Sequence, residues 1–306
     1  MEKRDSIKSY LFIVLAMIFF SLSFVWFKIA NAIYGPLTIV FIRLIFSAGI
    51  LFFYTKFSGK LVLPDKKDFK FLLLLALFEP FLYFMGESFG LQLISPTVAS
   101  VIIATIPLVS PFATYLFYKE KITSKNIFGI MISFLGVIIV IYEVGTGITA
   151  SPIGVLLQFT AVFSAVGYTI VLHKISSRIN NLSIILFQNL FGSIYFLPLW
   201  LIFESKKFVA TPFHPDAMIA IIELSIFAST IAYIFFTYSV RHMGIIKSTM
   251  FTNVIPVFTA IFAWFILGDQ LTIQKIAGIV VVITGLFIAQ LKIKKTYDGP
   301  DPIPYD

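Results

Sequence analysis

Ten predominantly apolar runs follow one another along the chain, separated by short polar segments. A helix needs about 20 such residues to cross a bilayer, so each run predicts a membrane-spanning helix. Glycine and proline lie in the segments between the runs, as is typical of turns. The predicted spans are Ser9 to Ala30, Pro36 to Thr55, Phe69 to Gly90, Thr97 to Tyr118, Asn126 to Tyr142, Ile153 to Ile175, Leu182 to Phe203, Ala217 to Ser239, Lys247 to Leu267 and Ile276 to Leu291.

The composition agrees with an all-α integral membrane protein. The chain has 306 residues, of which 59% are hydrophobic and 12% charged, whereas a soluble domain carries about 25% charged residues. With so little polar surface, the lipid bilayer must be the solvent for most of the chain, and no loop is long enough to form a separate domain. The chain contains no cysteine, which excludes disulfides and thiol-ligated metals.

The basic residues follow a pattern that predicts topology. If the N-terminus is cytoplasmic, 18 Lys and Arg residues lie in the cytoplasmic segments, while Lys206, Lys207 and Lys275 alone lie in the outer ones. Cytoplasmic loops are enriched in Lys and Arg, so we expect a multi-pass protein of the cell inner (plasma) membrane with both termini in the cytoplasm. The net charge of +8 is then a topology signal, and no nucleic-acid partner is expected.

The two halves of the chain resemble each other. Residues 104–109 (Ala-Thr-Ile-Pro-Leu-Val) match residues 253–258 (Asn-Val-Ile-Pro-Val-Phe) at an offset of 149. Four further pairs share that offset, namely Glu120 with Asp269, Thr123 with Thr272, Gly129 with Gly278 and Gly136 with Gly285. We therefore predict two five-helix repeats, residues 1–145 and 146–295, followed by a disordered cytoplasmic tail, 296–306. Because five is odd, the second repeat is inverted, an architecture that recurs in secondary transporters.

A resemblance to a known family is carried by Lys28, by Arg43, by the block from Ala99 to Gly136 and by the repeat of that block from Ser248 to Gly285. The sequence resembles the EamA-type branch of the drug/metabolite transporter superfamily. The resemblance covers nearly the whole chain, as two EamA units. It implies a ten-helix transporter of metabolites, often an exporter of amino acids or their derivatives, with a central cavity lined by helices one, three, four, six, eight and nine. Gln188 stands opposite Arg43 in the second repeat, so the two halves are not chemically equivalent.

An acidic stripe in the third span is the strongest candidate for function. Glu79, Tyr83 and Glu87 recur every four residues and therefore share one helix face, which must point into the bundle because lipid does not tolerate charge. Glu79 lies near mid-membrane, directly before Pro80. It either binds a cationic substrate group, carries a coupling proton or serves as a structural carboxylate.

A second set of charges lies at similar depth in the predicted topology. Lys28, Arg43, Glu87 and Glu223 fall in the outer halves of their spans, and they form either a gate, a substrate site or a packing network. For Lys28 and Glu223, near helix ends, the sequence favours the structural alternative.

Polar and proline positions indicate where a cavity would lie. Pro107 and Pro256 fall at matched mid-span positions, where a freed backbone carbonyl is tolerated only beside a cavity or a compensating partner. Gln158, Tyr168, Tyr233 and Asn253 are predicted to line the cavity, although small and hydroxyl residues at the same spacing also join membrane helices. Glu120 and Asp269 end their spans at matched positions and have a capping or gating role. The glycines of spans five and ten predict close helix contacts, within a monomer or a homodimer.

The sequence thus predicts a secondary active transporter, an exporter of small metabolites such as amino acids or derivatives, by alternating access around a midplane cavity. Its partners are a small-molecule substrate, the bilayer and a coupling proton; no cofactor, metal site or catalytic residue is expected, since neither a P-loop nor metal-spaced histidines occur. The alternatives are a transporter of phosphorylated or nucleotide-linked sugars, which requires clustered cations, and a membrane enzyme or scramblase.

Overall fold

A computed structural model describes residues 3–109, 124–143, 147–148, 150–172, 175, 179–243 and 251–290. Nearly all of these residues are helical. The helices are α1 (Lys3–Asn31), α2 (Pro36–Phe57), α3 (Lys66–Leu93), α4 (Pro96–Val109), α5 (Ser124–Ile141), α6 (Pro152–Leu172), α7 (Asn181–Phe203), α8 (Pro215–Glu223, Leu224–Ala232 and Tyr233–Met243 in succession), α9 (Phe251–Leu267) and α10 (Ile273–Gln290). A short helix, Ser205–Ala210, follows α7, and the two-residue strands Tyr142–Glu143 and Gly147–Ile148 pair antiparallel after α5.

Six of the described helices, α1, α2, α3, α6, α7 and α8, are long and apolar enough to cross a membrane. Apolar helices within α4, α5, α9 and α10 are shorter; the predicted fourth and ninth spans each extend into residues outside the described ranges. The architecture is therefore that of a helical membrane protein, while the count of ten spans stays a prediction. The predicted boundary between residues 145 and 146 and the tail 296–306 also lie outside the described residues.

Each helix of the first half packs mainly on a helix of the second half. α1 packs on α8, α2 on α7, α3 on α6 and α5 on α10, while α4 packs on both α6 and α9. The largest apolar core includes buried residues of α1, α4, α6, α8 and α10. Consequently no half has a core of its own in the described part of the chain, and the polar side chains of both halves meet between the helices.

Glycines allow the close contact between α5 and α10. A Cβ atom on Gly285 would lie 2.6 Å from the backbone oxygen of Gly129, and one on Gly136 would lie 2.9 Å from that of Gly278. The Ser133 hydroxyl donates to the Val282 carbonyl at 3.0 Å. The predicted close-packing faces therefore meet each other inside one chain.

Several helices are interrupted where the sequence has proline or small polar residues. Wide π-type turns interrupt α3 at Leu77–Leu82 and α8 at Leu224–Ala232. The helix of α4 breaks at residues 104–105, before Pro107, and α9 begins with a tight turn, Phe251–Val254, before Pro256. Proline lacks an amide hydrogen and fits the first turn of a helix. Pro256 accordingly occupies the first turn of Ile255–Phe262 rather than the middle of an unbroken helix.

Candidate functional site

The break in α3 places Glu79 at the centre of the site. Glu79 has non-helical backbone angles (φ −142°, ψ 117°) and is 8% exposed. The Tyr233 hydroxyl, on α8, donates a hydrogen bond to Glu79 Oε1. The ring of Phe20 from α1 meets Tyr233 edge-on, with centroids 5.3 Å apart. The carboxyl group predicted to lie near mid-membrane is thus buried and bonded to Tyr233 of α8, which packs on Phe20 of α1.

One face of α3 continues the site toward Glu87, as the four-residue spacing predicted. Tyr83 donates its hydroxyl hydrogen to Glu87 Oε1 at 3.0 Å, and Glu87 is 6% exposed. Glu87 also lies close enough to Arg43, on α2, to interact with it electrostatically. Tyr83 and Glu87 of the predicted stripe are therefore bonded to each other, whereas Glu79 lies at the helix break, outside regular helical spacing.

Arg43 is the one basic side chain that the described residues bring into this cluster. It is 4% exposed, its Nε donates to Ser229 Oγ on α8 at 2.8 Å, and its guanidinium carbon lies 4.2 Å from the ring centroid of Phe84. A guanidinium over an aromatic face is attracted by the ring quadrupole. Arg43 also interacts electrostatically with Glu79, so it lies within electrostatic range of both carboxyl groups.

Hydroxyl and amide groups extend the cluster onto α7. Ser47 Oγ donates to the Ser229 carbonyl at 3.1 Å, and Asn189 Nδ2 donates to Ser47 Oγ at 2.8 Å. Ser47, Asn189 and Phe84 were not among the predicted site residues. Ser47 lies one turn after Arg43 and could have been found from that spacing, but Asn189 carries no comparable signal.

The predicted cavity residues of α6 divide between two roles. Tyr168 donates its hydroxyl hydrogen to Gln188 Oε1 on α7 at 3.2 Å and interacts electrostatically with Glu79. Gln158 is fully buried and donates from Nε2 to the backbone oxygen of Glu87 at 3.0 Å. Tyr168 therefore joins the site, while Gln158 ties α6 to the backbone of α3.

Two predicted charges lie apart from this cluster. Lys28 interacts electrostatically with Asp269 rather than with Arg43 or Glu87. Asp269 is only half-buried, and burial raises its pKa above the ordinary value. Glu223 is partly exposed in the first segment of α8. Thus Arg43 and Glu87 are the members of the predicted outer set that meet in the site.

The remaining predicted positions lie near the helix breaks or outside the described chain. Asn253 is 3% exposed, and neither amide atom has a hydrogen-bond partner in the part of the chain that the structure describes. Pro107 follows the break in α4. Glu120 lies outside the described residues. Among those residues, no group of three or more His, Cys, Asp or Glu could hold a metal ion.

A separate cavity lies at the contact between α3 and α6. Its volume is about 480 Å³, and it is lined by Leu82, Met85, Gly86, Phe89, Leu157, Thr160 and Ser164. The hydroxyls of Thr160 and Ser164 donate to carbonyls of their own helix at 2.6 and 2.8 Å. The walls are therefore effectively apolar.

Comparison with known proteins identifies the family. The model of the EamA-like transporter family matches the chain twice, over residues 7–142 and 152–290. The chain belongs to the EamA-like transporter family. An uncharacterized transporter of Archaeoglobus fulgidus is 23% identical to this EamA-like protein over 289 residues, covering 93% of this chain and 98% of the relative. The uncharacterized transporter YcxC of Bacillus subtilis is 27% identical over 312 residues, covering 98% of each chain.

A solved crystal structure shares the fold of this EamA-like chain. It superposes with a TM-score of 0.68 at 14% identity, over 92% of this chain and 96% of the other. At that identity the likeness concerns the fold alone. Family and relatives together indicate a multi-pass membrane protein that is a transporter rather than an enzyme.

Proposed function

We propose that this protein is a secondary active transporter that exports small metabolites, such as amino acids or their derivatives, across the plasma membrane. Transport proceeds by alternating access around the polar cluster at Glu79, with both termini cytoplasmic. The ten helices form two inverted repeats. The observation that carries the proposal is the buried cluster of Glu79, Glu87 and Arg43 at the meeting of helices from both halves.

The helix contacts support the inverted repeats. In an inverted repeat, helix n of the first half is equivalent to helix n + 5 of the second half. Under that equivalence the α1–α8 contact corresponds to the α6–α3 contact, and the pairs α2–α7, α4–α9 and α5–α10 each correspond to themselves. All of these pairs are in contact. Ser133 bonds to Val282, the residue 149 positions later. Such reciprocity is expected of two units related by a twofold axis, which allows the units to exchange conformations.

The charges of the cluster support a role in binding a cation or a proton. It contains two carboxyl groups and one guanidinium, so with both acids ionised one negative charge is uncompensated. An uncompensated charge buried in a low-dielectric interior is strongly disfavoured. The cluster therefore reaches neutrality by taking up either the amino group of a substrate or a proton. Glu79 is the group that accepts it, because Arg43 interacts more strongly with Glu87 than with Glu79.

Counterflow in proteoliposomes tests this proposal. Radiolabelled protein amino acids, and a phosphorylated sugar as the competing substrate class, are compared with and without a pH gradient. We expect Glu79→Gln to reduce amino-acid transport at least tenfold, or to abolish its dependence on pH. The control is Glu223→Gln, which neutralises a partly exposed carboxylate. An unchanged rate and pH profile for Glu79→Gln would remove Glu79 from the mechanism, and sugar-phosphate transport alone would replace the substrate class.

A further inference from the structure

The first turn of α2 is capped by the residue that follows α7. Glu204 Oε1 accepts the amide hydrogen of Leu37 at 3.2 Å, and Glu204 Oε2 accepts that of Thr38 at 2.7 Å together with the Thr38 hydroxyl at 2.7 Å. The first amide groups of a helix have no partner within the helix, and a negative charge is favoured there. One carboxylate therefore satisfies the N-terminal end of α2 from another helix.

The surroundings of this cap are fitted to it. A Cβ atom on Gly35 would collide with the Glu204 carboxylate, so glycine is needed for its approach. Trp200 donates from Nε1 to Thr38 Oγ1 at 3.1 Å and stacks on Phe41 with centroids 4.8 Å apart. Thr38 is 1% exposed, so the contact is buried as well as bonded.

At the opposite end of the same helix pair, the start of α7 bonds to the segment that follows α2. Asn180 caps α7 by accepting the amide hydrogen of Ser183 at 2.9 Å, and its Nδ2 donates to the Lys60 carbonyl at 2.6 Å. The amide of Val62 donates to Ser183 Oγ at 3.0 Å. The first turn of α7 thus holds the segment after α2, as the first turn of α2 holds the residue after α7.

The two ends are related by the repeat but differ in chemistry. Gly35 and Asn180 are 145 positions apart, the same offset that separates Arg43 from Gln188. At one end a carboxylate makes the bridge, and at the other an amide. Between them, Asn189 of α7 bonds to Ser47 of α2. Separating α2 from α7 would leave the amide groups of Leu37 and Thr38 without Glu204 at one end, and the amide of Val62 without Ser183 at the other. The loss is costly at the buried Thr38.

We propose that α2 and α7 move as one rigid pair throughout the transport cycle, so that the substrate pathway opens at neither membrane face between them. The proposal rests on alternating access. The contacts that change during transport are then those between the other helix pairs. Glu204 and Asn180 are positioning residues, because they fix α2 and thereby the position of Arg43 on it.

Cross-linking tests this in a chain that has no cysteine of its own. One variant combines Gly35→Cys with Glu204→Cys, a second combines Lys60→Cys with Asn180→Cys, and a third carries all four substitutions. Disulfides need Cβ atoms within about 4.5 Å, so mass spectrometry after mild oxidation scores each link. We expect both links to form together. Counterflow of radiolabelled amino acids should stay within about twofold of the reduced variant, a difference of about 0.4 kcal/mol.

The opposite results are equally clear. A tenfold loss of counterflow on oxidation that is reversed by reduction, and absent from the four single-cysteine controls, would show that the pair must separate. Failure of the link between positions 35 and 204 to form would show that this end of the pair is not adjacent, because a Cβ on Gly35 meets the Glu204 side chain.

The contacts of Glu204 and Asn180 that join α2 to α7 are called the clamp. The outcome for the clamp can be separated from the outcome for the proposed function. If the unmodified protein moves no amino acid, the proposed function fails, whereas the clamp is still judged by thermal unfolding in detergent. We expect Glu204→Gln to lower the melting temperature by several degrees, because the NH₂ group of glutamine would face the amide groups of the helix. In the variant that combines Gly35→Cys with Glu204→Cys, oxidation should raise the melting temperature back to that of the unmodified protein. Unchanged melting in Glu204→Gln would overturn the clamp.

Discussion

Gly285 lies where α10 crosses α5, and replacing it by alanine probes a close backbone contact between the two halves. The added Cβ would lie 2.6 Å from the Gly129 carbonyl oxygen and 2.6 Å from the Ser133 amide nitrogen. Both are backbone atoms and cannot rotate away. We expect Gly285→Ala to force the two helices apart and to weaken the bond from Ser133 to the Val282 carbonyl.

The size of the effect follows from the geometry. An ordinary contact of this kind begins at 3.4 Å, so the helices must separate locally by about 0.8 Å. Overpacking of a tight interior typically costs about 1–3 kcal/mol, partly offset by the roughly 0.5–1 kcal/mol that alanine gains over glycine within a helix. We therefore expect a net loss of about 1–2 kcal/mol in the free energy of unfolding.

Thermal unfolding in detergent, followed by intrinsic fluorescence, measures this loss. Gly49→Ala in α2 is the matched control, because a Cβ there meets nothing within 4 Å; it should leave stability unchanged or raise it. The reasoning is refuted if Gly285→Ala is as stable as Gly49→Ala. If it is stable but alters the oligomeric state in size-exclusion chromatography, the glycine face joins two chains instead.

Three further outcomes are expected. Tyr233→Phe removes the donor to Glu79 and should cost about 1–2 kcal/mol in thermal unfolding; no loss would mean that the bond is not formed. Gln158→Met should cost under about 1 kcal/mol, because the lost bond to the Glu87 carbonyl is offset by removing Oε1, which has no partner among the residues that the structure describes. A large loss of transport at normal stability would instead place Gln158 in the substrate site. Burial raises the pKa of Asp269 above 3.8, against the opposing charges of Lys275 and Lys28. The folded state then holds the proton more tightly than the unfolded state, so this group lowers stability as pH rises above about 4, and Asp269→Asn should flatten that fall in melting curves.

The acidic part of the site could be predicted because its residues lie close together in the sequence, although Glu79 itself lies at the break in α3 with non-helical backbone angles. Glu79, Tyr83 and Glu87 follow one another at four-residue spacing, and charge is excluded from lipid. The partners could not be predicted with the same certainty. Tyr233 is 154 residues from Glu79 and Ser229 is 186 residues from Arg43, and a hydroxyl group in a membrane helix equally well joins helices.

The separation of Lys28 from Arg43 illustrates the same limit. Both residues fall at comparable depth along their predicted spans, and depth is all that span boundaries provide. Rotation of each helix about its axis decides which side chains meet at a given depth. Packing of α1 against α8 and α9 directs Lys28 toward Asp269.

The sequence alone was enough to establish membrane helices, the EamA-like resemblance, the internal duplication and the acidic stripe, because apolar runs, repeated blocks and helical spacing are properties of the chain read in order. Tertiary structure decided which helices pair, which charges share a site and how α2 and α7 cap each other. The physical reason is that a helix in lipid is apolar on nearly every side, so hydrophobicity does not distinguish its buried face. Small residues such as Gly285 and side-chain bonds such as that of Glu204 select the partner, and those contacts exist only once distant segments have come together.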